Sequence, residues 1–192
     1  MSLNISGSEG NTMDGLRIRE LRTEQGMTLS QLASQSGLSE GMISQVERGL
    51  TDPSLETLRK ISRVLNLPLF QLFHQDDADR SRVTVLRKGH QVQITSPATN
   101  ITYLRQSAGH GQLEVLRGTL APGGASSLEP WSHPAEECVV VISGLLEVEI
   151  QGENISLEPG DSCHFDSTLP HRLLNISNEP TVFITAVTPP SY

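Results

Sequence analysis

A chain of 192 residues, 36% hydrophobic and only 4% aromatic, accommodates one large domain or two small ones around a mostly aliphatic core. No apolar run reaches the ~18 residues that span a bilayer, and the first dozen residues, MSLNISGSEGNT, carry neither the basic nor the apolar region of a secretory leader. Two cysteines, Cys138 and Cys163, are too few for a disulfide framework, so a reducing cytoplasm is expected, with no membrane partner. The net charge of −8 is unevenly placed. Residues 13–75 carry seven Lys/Arg and seven Asp/Glu, whereas 76–192 carry seven basic and fourteen acidic side chains, which argues for two domains with different partners.

Residues 1–12 read as a disordered tail. From 13 to 74 the apolar spacing is helical. Leu16 and Leu21 lie on a first helix that Gly26 ends. Thr28 caps a second, with Leu29, Leu32 and Ala33, which stops at Gly37. Ser39 caps a third, with Met42, Ile43 and Val46, closed by Gly49. Asp52-Pro53-Ser54 opens a fourth helix with Leu55, Leu58, Ile61 and Leu65, and Leu69 to Phe73 makes a fifth, short one after Pro68. Residues 75–82 are a charged stretch with little to bury and read as a linker. From 83 to 192 the pattern becomes short strands: Val83–Leu86, Val92–Ile94, Ile101–Leu104, Leu113–Leu116, Val139–Ile142, Leu146–Ile150 and Val182–Ile184, with further strands at Cys163-His164-Phe165 and around His171. Gly, Pro, Asn and Ser separate them, as in an antiparallel sandwich or barrel.

Helices two and three meet at Gly37, and small Ala33 lets them cross closely. With Leu32, Leu38, Ile43 and Val46 facing inward, Ser39, Glu40, Gly41, Met42, Ser44, Gln45 and Arg48 remain near the exposed side of the third helix. Most are short or amide side chains, suited to the DNA major groove. The segment Thr28–Gly49, with Arg22 upstream and Asp52–Leu58 downstream, resembles the XRE (lambdoid phage repressor) helix-turn-helix family over residues 16–73. The resemblance implies a structural ion pair between Arg22 and Glu47. It implies that Glu40, Gly41, Met42 and Gln45 face base edges, with Gln45 bonding adenine and Glu40 accepting from cytosine. Gln31, Ser39, Ser44 and Arg48 are then phosphate contacts. Glu40 departs from the glutamine often found there. The implied partner is a double-stranded DNA operator, bound by a homodimer because one such module reads only a few base pairs.

In the second half, Gly124 precedes Trp131-Ser132-His133, Glu137 and Gly144; farther on stand Pro159-Gly160-Asp161, Pro170-His171 and Asn175. This spacing resembles the two motifs of the cupin (double-stranded β-helix) barrel over about residues 115–187. Metal-binding cupins use three histidines and the glutamate. His133, Glu137 and His171 match, with Trp131 in place of the first histidine. The resemblance implies a divalent metal, zinc first, with open positions. His133 and Glu137 are expected on adjoining turns of one hairpin. Cys138 should point away from the pocket by alternation, and His164 should be structural.

The fold class expected is therefore an all-α, five-helix helix-turn-helix domain followed by an all-β cupin barrel. Trp131 beside open metal positions suits a small-molecule effector such as an amino acid, with Arg105, Arg117 or Arg172 pairing its carboxylate. The reading is a transcriptional repressor that senses a metabolite rather than an enzyme. The alternatives are a cupin dioxygenase or isomerase with an attached DNA-binding domain, and a ligand-independent dimeric repressor.

Overall fold

The computed structural model describes residues 15–73 and 82–191; the expected tail and nearly all of the expected linker lie outside the described residues. The helices are α1 (Gly15–Glu24), α2 (Leu29–Ser36), α3 (Glu40–Glu47) and α4 (Leu55–Leu65), followed by a 3-10 helix at Leu69–Leu72. Local chemistry sets their ends. Thr28 accepts from the Gln31 amide while Gln31 Oε1 accepts from the Thr28 amide, a reciprocal cap that satisfies two otherwise orphaned donors of α2. Ser39 and Ser54 cap α3 and α4 in the same sense, each accepting at 3.1 Å from the amide three residues on. The chain reverses between α2 and α3 at Gly37, whose φ of 67° is open to glycine at no steric cost.

Ile18, Leu32, Ile43, Val46, Leu58, Ile61 and Leu65 are fully buried and form the shared core of the helices. A Cβ on Gly15 would stand 1.9 Å from the Val46 carbonyl oxygen, so the glycine is what lets α1 lie directly on α3. The fifth helix departs from an α-helix. Between Pro68 and Phe73 there is room for one turn only, and the Phe73 amide bonds back three residues, to Phe70.

The strands are β1 (Gln93–Ser96), β2 (Ile101–Arg105), β3 (Glu114–Leu120), β4 (Glu136–Ser143), β5 (Leu146–Ile150), β6 (Glu153–Leu157), β7 (Ser162–Asp166), β8 (His171–Leu174) and β9 (Thr181–Thr188). They build a six-stranded sheet in the order β1-β2-β3-β9-β4-β7 and a three-stranded sheet β6-β5-β8, all antiparallel. Alternation sends Ile101, Tyr103, Leu116, Val139, Phe183 and Val187 of the large sheet into the same core as Leu146, Val148 and Leu173 of the small one. Val83–Leu86, expected as a strand, belongs to neither sheet, and Val83 and Val85 are exposed. β6 escapes sequence reading because four of its five side chains face solvent, so no alternation shows.

The two halves share one continuous apolar cluster. Arg59 on α4 donates through Nη1 to the Ser126 carbonyl at 3.0 Å, and Arg63 through Nη2 to the Ser132 carbonyl at 2.8 Å. The Arg105 guanidinium of β2 lies 4.9 Å from the centre of the Phe70 ring in the 3-10 helix.

Candidate functional site

Two sites are built by this scaffold. On the helical side, Arg22 of α1 grips Glu47 of α3 through two bonds, Nε to Oε1 at 2.6 Å and Nη2 to Oε2 at 2.9 Å, and Nη1 donates to the Met27 carbonyl at 2.8 Å. Both side chains are buried. The pair fixes the angle at which α3 is carried. Glu40, Gly41, Met42, Gln45 and Arg48 are exposed along α3 and its end, and Ser44 is half-buried. Gln31 and Ser39 are exposed but engaged in capping, and Arg48 Nε donates to the Ser44 carbonyl at 3.1 Å. A Cβ placed on Gly41 meets no atom within 4 Å, so nothing inside the protein requires a glycine there.

On the barrel side, His133, Glu137 and His171 are brought together, all buried. Glu137 comes from β4 of the large sheet and His171 from β8 of the small one. His133 comes from the loop entering β4, rather than from a turn of a hairpin. His133 Nε2 and His171 Nε2 each stand 3.6 Å from Glu137 Oε2. The opposite edge of each group is held. His171 Nδ1 bonds the Leu169 carbonyl at 2.8 Å, His133 Nδ1 pairs with Ser191 Oγ at 2.7 Å, and Thr185 Oγ1 donates to Glu137 Oε1 at 2.7 Å. Burial lowers the His171 pKa against the opposing pull of Glu137, which favours the neutral imidazole that a metal requires.

These residues fit a divalent metal. Bonds of about 2.1 Å in tetrahedral geometry put ligand atoms roughly 3.4 Å apart, close to the 3.6 Å between each histidine and Glu137, and outer partners of this kind orient ligands in metalloproteins. Asn175, the last residue of the second motif, is structural. Its buried amide donates to the carbonyls of Leu120, Ala121 and Glu179 and ties the chain after β8 to the end of β3. Cys138 and exposed His164 are cross-strand partners on the outer face, and Cys163 pairs with buried Val139.

Trp131 packs beside the triad, its ring centre 4.6 Å from that of His133 and 6.2 Å from that of His171. The three arginines considered as carboxylate partners do not serve the triad: two are engaged elsewhere and one faces outward. Arg105 is buried 3.3 Å from Glu114, Arg172 bonds Glu149 at 2.5 Å and the Leu128 carbonyl at 2.8 Å, and Arg117 is exposed on the outer face of β3. The cation over Trp131 is Arg59, 4.6 Å from the ring centre, supplied by α4 of the other domain. Sequence reading missed it because an arginine on a helix reads as solvated; its one signal is Arg63 four residues on, on the same face of a strongly amphipathic helix.

The fold and these two sites define a two-domain protein, a helix-turn-helix module fused to a cupin barrel. Residues 18–72 match the Helix-turn-helix family and residues 116–187 the Cupin domain family. The chain is 30% identical over 165 residues to the HTH-type transcriptional regulator SutR of Escherichia coli, spanning 86% of this chain and 88% of SutR. It is 25% identical over 185 residues to the HTH-type transcriptional regulator PuuR of the same species, spanning 96% of this chain and all of PuuR. A crystal structure of an HTH_3 family transcriptional regulator from Vibrio cholerae superposes with a TM-score of 0.71 at 24% identity, over 92% of this chain and 94% of that one. The chain belongs to the HTH-type transcriptional regulators that carry a C-terminal cupin domain. DNA binding follows from its helix-turn-helix domain. Among the described residues, no helix is long and apolar enough to cross a membrane.

Proposed function

We propose that this regulator is a homodimeric repressor whose affinity for its operator is set by a small-molecule effector, bound in the cupin domain beside a divalent metal, zinc first. The observation that carries the reading is the convergence of His133 Nε2, His171 Nε2 and Glu137 Oε2, each group held from behind by a separate hydrogen bond. Such a metal offers an effector open coordination positions. This chain's own residues hold the three ligand atoms, shield them from water with Trp131, and connect the site to α4. α3 presents Glu40, Gly41, Met42 and Gln45 to base edges, with Gln31, Ser39, Ser44 and Arg48 at the phosphates. A regulatory rather than catalytic role is supported by full-length relatives that are transcriptional regulators.

Dimerisation is supported by the half-site logic of such modules and by exposed apolar side chains, Val83, Val85 and Leu86 among them. The test pairs metal content by mass spectrometry with operator affinity, using an operator selected from random DNA and light scattering for mass. Near-stoichiometric metal lost in His133→Ala/His171→Ala, together with a changed operator affinity, supports the reading. A double variant with unchanged metal content and unchanged DNA response sinks it.

A further inference from the structure

The outer face of the six-stranded sheet is apolar where a solvated face of an antiparallel sheet would be polar. The alternation that buries Leu116, Val139 and Phe183 turns their neighbours outward, and the ladder sets these in rows. Leu104 of β2, Arg117 of β3, Ile184 of β9 and Val140 of β4 are successive register partners across four strands. Val115, Ala186 and Cys138 form the row on one side, and Thr102, Thr119 and Val182 the row on the other. None of these side chains is buried, and Arg117 is the one charge among them. Contiguous exposed apolar surface of this kind marks an interaction site, and arginine is enriched at such interfaces.

Two features of this face fit each other. Ile142, 54% exposed, stands beside Val182 at the bulge between Val141 and Ser143, where β4 carries one extra residue. Three strands away on the same face is an open groove of about 320 Å³, lined by Thr95, Thr102, Thr119, Pro97 and Pro180 among others. A twofold axis running along the strands, between β3 and β9, exchanges β4 with β2 and β9 with β3. It sets Ile142 of each copy over Thr102 of the other, and Val140 over Leu104. One patch then meets itself, as a closed twofold contact requires. The size also suits a second copy: six strands by the length of β9 span roughly 29 by 25 Å, or about 700 Å², against the ~800 Å² that each partner buries in a standard interface.

We infer that two copies of the chain join through this outer sheet face, with Ile142 of each seated in the Thr95–Thr102–Thr119 groove of the other. The inference rests on the homodimer reading above and deepens it by naming the surface and its axis. Two helix-turn-helix modules are thereby carried on one rigid pair of sheets, the arrangement that two half-sites on one operator need.

Sedimentation equilibrium on the full-length protein reads mass against concentration, with 20.9 kDa for the single chain. Wild type is expected at twice that mass. Ile142→Lys and Thr102→Glu should each raise the dimer dissociation constant at least about hundredfold, since each buries an unpaired charge. An equimolar mixture of the two variants should recover the dimer. One of its two equivalent contacts then pairs the introduced ammonium with the introduced carboxylate, and the other is wild type on both sides. Thiol labelling of Cys138 in the wild type, resolved from Cys163 by peptide mass, should slow as rising concentration forms the dimer. Should either variant not fold, that labelling decides. A dimer that folded variants leave intact, a mixture of folded variants that stays monomeric, or Cys138 labelling equal in monomer and dimer overturns the inference while the homodimer reading stands. A wild type that is monomeric at every concentration and on its selected operator overturns both, and leaves the face to a different protein.

Discussion

The hydroxyl of Thr185 on β9 donates a 2.7 Å hydrogen bond to Oε1 of Glu137 on the neighbouring strand β4, turning Oε2 toward both histidines. Thr185 is fully buried on the inner face, opposite Val139 and two register positions along the ladder from Glu137. Its role is to aim a carboxylate. Thr185→Val keeps the shape and removes the donor, so metal affinity should fall roughly 10–100-fold, as outer-partner losses do. Thr185→Ser should restore most of it. Competition titration against a chelator of known affinity checks both.

The Arg22–Glu47 pair makes a different prediction. Both residues are buried, and three bonds from one guanidinium join α1, the α1–α2 turn and α3. Arg22→Ala leaves the Glu47 carboxylate buried and uncompensated, at a cost of roughly 3–5 kcal/mol. Denaturant unfolding followed by helical circular dichroism should show the helical domain melting early. An unchanged midpoint would remove the pair from the account of what holds α3.

Gly41 separates stability from function. It sits exposed in the first turn of α3 with open space around its Cβ position. Gly41→Ala should therefore stabilise the helical domain by about 0.5–1 kcal/mol through helix propensity alone. If α3 enters the groove on this face, the added methyl should cost about tenfold in operator affinity, or 1.4 kcal/mol. Thermal melts and fluorescence anisotropy on the selected operator read the two effects separately.

Glu114 supplies a pH dependence. Burial pushes its carboxyl up from 4.5 to about 6, with the Arg105 guanidinium 3.3 Å away pulling the other way. A folded value above the unfolded one means the native state binds the extra proton. The stabilisation is fully present below pH 4.5 and is lost as pH rises through about 6. Between pH 4.5 and 7, wild type should lose about 2 kcal/mol relative to Glu114→Gln, by the linkage of roughly 1.4 kcal/mol per unit. Urea unfolding across that range, with the variant as reference, measures the difference.

Much of this was legible in the chain because the signals are local. Caps at Thr28 and Ser39, the helix start after Asp52-Pro53-Ser54 and the left-handed turn at Gly37 are decided within three or four residues. Period-two alternation gave β2 to within one residue, because one face of that strand is buried and the other is not. Val83–Leu86 carries the same alternation and joins neither sheet. A strand needs a free edge beside it as well as a propensity, and only the assembled barrel says where the edges are.

The sequence by itself determined the two domain types, the third helix with its exposed polar side, and His133, Glu137 and His171 as a candidate set, since motif spacing survives translation into strands. Only the tertiary structure decided what surrounds that set. Thr185 and Ser191 reach it from 48 and 58 residues away from the side chains they hold, and Arg59 reaches Trp131 across the domain boundary. The physical reason is that local sequence specifies which way a side chain points relative to its own backbone. Which group it then meets is set by the packing of distant segments, and a buried charge such as Arg59 acquires its role only from that meeting.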